Sequence, residues 1–445
     1  MNKKPNIIFF FTDQQRWDTC GYITPHLNLT PNLDNMAAKG ACFEKAYTCQ
    51  PVCGPARACL QSGMYATETG NFHNTRRLEP DSCTPLAEYL NKAGYKTGYI
   101  GKLHLAMTTD GPIPRELHYG YKDYWRAMDV VEWGSLPYEG GLYDEEENFI
   151  SYKGQYRVDF TTDLLIDFIK MNQEGEAPFF AMMSLIEPHH QNCMHRYVAP
   201  DGYAQKYRDA WVPGDLRSRK GQGDWEENLP DYYGIIRRID ENLGRVVDAL
   251  KESGQFENTF IIFSSDHGSH FRTRNGEYKR SCHDACTHIP LVIHGPNIEK
   301  GYREGVKLAS LIDIPATILD IAQVEKPNYY RGRSLLPLMK GEQADWREEV
   351  FIQISEAQVG RALCDGKYKY SVSDNELDGF TVSKANTYTE EFLYDLENDP
   401  DESCNLVADE RYNEVKRMFR KKLINYIENV EHYTPEILPY QKTIS

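Results

Sequence analysis

Asn6-Ile7-Ile8-Phe9-Phe10-Phe11-Thr12-Asp13-Gln14 is the stretch from which the rest of the chain can be read. A short unbroken run of β-branched and aromatic residues reads as a strand, the first of the fold. We place that strand at Asn6–Thr12, and it ends on two polar side chains. Downstream, Thr30-Pro31 through Gly40 carries the punctuation of a helix, with Thr30 as cap, Pro31 at the first position and Gly40 at the exit. Thr84-Pro85 with Gly94 repeats it ahead of a second strand over 96–100. Further strands are expected at 178–185, 259–264 and 290–293, and a long amphipathic helix over 232–252. Alternating strands and helices predict an α/β fold: a large, mostly parallel central sheet flanked by helices.

The texture changes near residue 345. Phe351–Ile354, Lys367–Val372 and Glu391–Leu396 read as antiparallel strands and Arg411–Val430 as a closing helix. The expected organisation is a catalytic domain over 1–345 and a smaller α+β subdomain over 346–445. Two stretches rich in Tyr and Trp, roughly 105–157 and 187–230, resist assignment. They read either as specificity loops or as core whose pattern is hidden.

Bulk properties exclude some classes. The chain has 445 residues, 40% of them hydrophobic, and a formal net charge of −16, which argues against a nucleic-acid partner. No apolar run is long enough to span a bilayer. The apolar start is too short and too soon interrupted by Asp13 for a secretion signal. Eleven cysteines without a disulfide-like spacing fit a reducing compartment, so a cytoplasmic location is expected. The negative charge does not exclude an anionic substrate, because surface charge is screened over about 8 Å at physiological salt.

Ligands of open α/β sheets sit beyond the carboxyl ends of the strands, and polar residues collect there. Asp13 and Gln14 follow the first strand, and Lys102 and His104 the second. Glu187, His189 and His190 follow the third; Asp266 and His267 follow the fourth. Asp13 and Asp266, with the amide oxygen of Gln14, are ligands suited to a hard divalent cation.

Cys53-Gly54-Pro55-Ala56-Arg57, continuing Ala58-Cys59-Leu60-Gln61-Ser62-Gly63, resembles the signature of the formylglycine-dependent sulfatases. Read without that resemblance, it is a half-buried cysteine at a helix start. In the family the cysteine is oxidised to formylglycine, whose hydrate attacks the sulfur of a sulfate ester. The second hydroxyl then expels sulfate, where an ordinary hydroxyl nucleophile would leave a stable sulfated enzyme. Asp13-Gln14 and Ser265-Asp266-His267-Gly268 resemble the two metal-binding pairs, and Gly101-Lys102-Leu103-His104-Leu105 the Gly-Lys-Trp-His-Leu element, with Leu103 in place of Trp. Pro188-His189 resembles the family's Pro-His element. Asn74 falls where an active-site Asn is common, although Thr69 replaces the usual His before it.

The resemblance covers nearly the whole chain and implies the alkaline-phosphatase-like fold, a sulfate-ester substrate and a maturation enzyme acting on Cys53. It implies one divalent ion held by Asp13, Gln14, Cys53, Asp266 and His267, calcium by family habit, with manganese the alternative. Arg57 would orient the nucleophile and His104 contact it. Lys102 and Lys279 would bind sulfate. His189 would donate a proton to the leaving oxygen, with His190 in reserve, and His283 would contact the organic part of the substrate. A saccharide substrate is expected from the breadth of the family and the aromatic-rich stretches. Two other readings share these residues: a phosphonate or phosphodiester hydrolase, and a non-catalytic binder of sulfated glycans. Cys282, His283, Cys286 and His288 have zinc-like residue types, but they lead straight into a strand and are read as packing.

Overall fold

A computed structural model of the chain describes residues 3–109 and 111–441. The opening strand β1 (Asn6–Asp13) is buried along its whole length. Its side chains alternate between two cores: Ile7, Phe9 and Phe11 enter one, Ile8 and Phe10 the other. Both faces of the sheet are covered, which is why the run is apolar without a polar face.

β1 lies inside a ten-stranded sheet. The other strands that carry polar ends are β2 (Lys96–Lys102), β3 (Phe179–Pro188) and β4 (Thr259–Ser265). β1 pairs in parallel with β3 on one side and β4 on the other, and β3 pairs in parallel with β2. Beyond β2, Tyr124–Met128 continues the parallel set, with Lys102 opposite Met128. Five adjacent strands therefore deliver their carboxyl ends to one edge.

Antiparallel pairs flank this parallel centre, so the sheet is mostly parallel but mixed. Leu291–His294 runs against β4, and the hairpin of Glu139–Tyr143 and Phe149–Lys153 closes the other side. This hairpin and Tyr124–Met128 occupy much of the stretch 105–157 that carried no strand pattern. Trp125 there is core, 1% exposed and stacked on His118 with ring centres 3.7 Å apart. The long helix spans Trp225–Glu252 and contains Pro230, a residue that reads as a break and so masks the first turns. No described helix is long and apolar enough to cross a membrane.

A separate five-stranded sheet follows, built from Val350–Ile354, Val359–Cys364, Tyr368–Asp374, Thr387–Asp395 and Glu436–Leu438. It is antiparallel except for its last pair. The helix Asn413–Glu431 packs on it, held by the buried pair Arg361–Glu431 at 2.7 Å. The two sheets are riveted by Lys369, fully buried, whose ammonium sits between Asp284 of the first part and Glu402. Glu402 also accepts the Asp284 backbone N–H at 2.7 Å.

Such a cation stabilises only as a complete set, because removing it strands two carboxylates out of water. Lys369→Ala should cost about 3–5 kcal/mol in urea unfolding. Lys367→Ala, which breaks only the exposed neighbour pair with Glu397, should leave the urea midpoint nearly unchanged. Equal losses would show that the buried set is not a rivet.

Candidate active site

The helix Cys53–Ser62 begins at the carboxyl edge of the sheet with Cys53 as its first residue, and all ten of its residues are buried. Val52 before it is extended, and Gly63 after it takes the left-handed conformation (φ 68°) that ends a helix. The Gly54 N–H donates to Asn74 Oδ1 at 2.9 Å, so Asn74 caps the helix that presents the cysteine. A side chain at Gly54 would meet Asn74 Oδ1 and the His104 carbonyl at 3.2 Å each.

Around Cys53 Sγ stand Lys279 Nζ at 2.6 Å, His267 Nε2 at 3.3 Å and Asp13 Oδ1 at 3.5 Å. One turn along, Arg57 binds Asp13 Oδ2 at 3.0 Å, the Lys102 carbonyl at 2.9 Å and Ser184 Oγ at 2.5 Å. These bonds tie the helix to β1, β2 and β3; Arg57 braces carboxylates rather than touching the sulfur. Lys102 Nζ lies between Asp13 Oδ2 (2.9 Å) and Glu132 Oε1 (2.7 Å). Burial alone would push this ammonium down, but Asp13 and Glu132 outweigh it and its pKa is raised.

Ligand types for a cation converge beside the sulfur. One ligand atom from each of Asp13, Cys53, Asp266 and His267 lies within 4.8 Å of the others. Gln14, left-handed at φ 72°, donates its N–H to Asp266 Oδ1 at 3.0 Å, and Tyr232 Oη donates to its carbonyl at 2.7 Å. Gln14 Oε1 and Asp266 Oδ2 are buried with no hydrogen-bond partner. His267 pairs Nδ1 with the Gly268 carbonyl at 2.8 Å, which puts the proton on Nδ1 and leaves Nε2 an acceptor facing Lys279 Nζ at 3.2 Å and Cys53 Sγ at 3.3 Å. Two buried oxygens without hydrogen-bond partners, beside the imidazole acceptor of His267, are an arrangement a divalent cation would satisfy.

A cavity of about 430 Å³ opens over Cys53, walled among others by Asn74, His104, Glu132, Trp133, His189, His190, Lys279 and Arg280. His189 pairs Nδ1 with the His190 carbonyl at 2.7 Å and turns Nε2 toward Lys279 Nζ at 3.4 Å. Burial, then the Lys279 charge, pushes its pKa well down, so the resting imidazole is neutral. The same two causes lower His190 to about 3, and its ring stacks between His189 and Tyr278. His104, left-handed at φ 57°, is pushed down by burial and then by Lys102.

One expected contact is corrected. His283 is 3% exposed and bonds to Ser281 Oγ and Tyr394 Oη at 3.2 and 3.1 Å. The C-terminal strand Thr387–Asp395 covers it, and it is not among the residues lining the cavity. His288 is bonded to Glu44 O and Asp284, so with Cys282 and Cys286 these residues form packing. They are not a metal cluster among the described residues.

Three side chains at the cavity were not assigned to the site from the sequence, although Trp133 lies in one of the stretches read as candidate specificity loops. Glu132 follows the unrecognised strand Tyr124–Met128, and locating that strand would have exposed it. Arg280 pairs with Glu356 at 2.5 Å, and Glu356 accepts the Asn74 backbone N–H at 2.6 Å, reaching the site from the C-terminal part. Trp133 stands at the cavity wall, 66% exposed.

The chain belongs to the sulfatase family, whose model matches residues 5–324. A second model, the C-terminal part of N-sulphoglucosamine sulphohydrolase, matches 276–429. It is therefore a sulfuric ester hydrolase with the alkaline-phosphatase-like fold. It is 28% identical to the uncharacterized sulfatase YidJ of Escherichia coli (strain K12), over 99% of this chain and 91% of that one. It is 24% identical to the N-acetylglucosamine-6-O-sulfatase of Bacteroides thetaiotaomicron, over 99% and 88%. The solved structure of BT4656 in complex with its substrate D-glucosamine-2-N,6-O-disulfate superposes with a TM-score of 0.79 at 22% identity, covering 97% of this chain and 99% of the other.

The Cys53 thiol is 1% exposed, and burial, then Asp13, raises its pKa to about 12. In its unmodified form it should react with iodoacetamide at pH 8 at least about tenfold more slowly than exposed Cys193 and Cys404. Peptide mass analysis over a labelling time course reads the rates; comparable labelling would mean the site is open and the thiol ionised.

Proposed function

We propose that this sulfatase hydrolyses a sulfate ester of a saccharide, using formylglycine made from Cys53 and one divalent cation. The observation that carries the reading is residue 53 at the head of a helix, set between Lys279, His267 and Asp13 at the floor of a cavity. The buried thiol, held protonated, is itself a poor nucleophile. Oxidised to formylglycine, residue 53 would supply a hydrated aldehyde able both to take the sulfuryl group and to release it. Asp13, Gln14, Asp266 and His267 would hold the cation, which would polarise a sulfate oxygen and favour the ionised nucleophile. The oxygen-rich set favours calcium, and the imidazole of His267 keeps manganese as the alternative.

The chain's own residues supply the rest. Lys279 directs its ammonium at the reacting position, and Lys102 sets the charge of Asp13 from beneath. Arg57, bonded to Asp13, fixes the carboxylate relative to the helix. His189 is neutral at rest and in contact with Lys279, so the proton for the leaving oxygen would come through this pair rather than from a standing imidazolium. A saccharide fits three features: the similar N-acetylglucosamine-6-O-sulfatase, a cavity within the usual 300–1,000 Å³ of small-ligand sites, and the open ring of Trp133. Phosphonate or phosphodiester hydrolysis would use the same groups, but the family match is to sulfatases. A maturation enzyme is the implied partner.

Full-length protein co-expressed with a formylglycine-generating enzyme should show residue 53 as the aldehyde by peptide mass analysis and should hydrolyse members of a sulfated mono- and disaccharide panel. Turnover by protein carrying only unmodified Cys53 would overturn the proposal, and Cys53→Ala should abolish turnover. His189→Ala should lose about 10²–10⁴-fold on sugar sulfates and much less on 4-nitrophenyl sulfate, because protonation matters most for a basic leaving oxygen. Equal losses on both would remove His189 from that role.

A further inference from the structure

Glu132 is a buried carboxylate, 4% exposed, in a cavity whose reading above requires it to admit an anion. It stands on the short helix Val131–Gly134, just past the carboxyl end of Tyr124–Met128, the strand paired with β2 at Lys102. One oxygen, Oε1, accepts from Lys102 Nζ at 2.7 Å. The other, Oε2, is buried with no hydrogen-bond partner, and the residue lines the same cavity as Cys53, His104, His189 and Lys279. A buried acceptor left without a donor is costly, and a negative charge beside an anion site more so.

We propose that Glu132 reads the substrate beside its sulfate: Oε2 accepts a hydrogen bond from a hydroxyl or ammonium group on the carbon neighbouring the ester. This rests on the sulfatase reading and narrows its substrate class to esters carrying such a donor. The donor answers the free lone pair while Lys102 answers the other oxygen, so the carboxylate has a partner on each side when substrate is bound. Trp133, the next residue, is 66% exposed at the cavity wall. Two successive residues thus offer a deep acceptor and a shallow apolar face, the pair of contacts a polyhydroxylated ring presents in return. A site built to bond a substrate group rejects the analogue lacking it, because its own polar atom is then left unpaired.

The test uses matured full-length enzyme and the best-hydrolysed ester of a panel of hexose and hexosamine monosulfates. The comparison is the same ester with the neighbouring hydroxyl or amine replaced by hydrogen. Wild type should favour the donor-bearing ester by about 10- to 100-fold in kcat/KM, the range of a hydrogen bond to a charged group. Glu132→Ala will lower turnover of both, since Lys102 loses a partner, but the preference should fall to about threefold or less. A preference that survives in Glu132→Ala would make Glu132 a positioning residue for Lys102 alone and overturn the proposal. Wild type that hydrolyses both esters without discrimination overturns it too, with no variant needed, and leaves the sulfatase reading standing. Matured wild type that hydrolyses neither sugar esters nor 4-nitrophenyl sulfate overturns both.

Discussion

The Asp13 carboxylate is the constraint on which the site depends. It is fully buried, yet it is held well below the usual carboxylate range. Burial pushes it up, and Lys102, with smaller contributions from Lys279 and Arg57, overcomes that push. An unpaired ion there would be prohibitively expensive, so each partner is obligatory rather than decorative. Arg57 arrives from the helix, Lys102 from β2, and Asp13 itself from β1. One carboxylate therefore sets the relative position of three elements whose order along the chain says nothing about their proximity.

Its companion Asp266 behaves oppositely. Burial, then the charge of Asp13, raises Asp266 to about 7. Two carboxylates this close resist sharing a site as anions, and an Oδ atom of each lies with Nε2 of His267 in one small space. A divalent cation would relieve the repulsion and occupy the unpartnered oxygens together. Fold and chemistry meet in that relief.

The strand-end residues Asp13, His189 and Asp266 are readable because each follows an apolar run long enough to declare a strand, and Lys102 because a punctuated helix precedes its strand; parallel pairing carries all four to one edge. Glu132 obeys the same rule but was hidden. Tyr124–Met128 is only five residues long and is interrupted by Arg126, so it does not stand out within a stretch rich in Tyr and Trp. Glu356 could not be found that way at all: it reaches Asn74 by tertiary contact from the second sheet, and no local spacing encodes such a meeting. His283 shows the converse error. It was expected to touch the organic part of the substrate, yet a strand from the C-terminal part folds over it. The boundary of the long helix was lost for a simpler reason, since Pro230 imitates a terminus it does not make.

The reach of Glu356 to Asn74, which caps the helix at Gly54, bears on timing. Ribosomes release the chain from its N-terminus, and Glu356 emerges about 300 residues after Cys53. At about 5–20 residues per second, the brace for that helix is missing for about 15–60 s after the cysteine is made. A thiol that ends 1% exposed lacks its finished surroundings in that interval, so the maturation proposed for it would have its opening during synthesis.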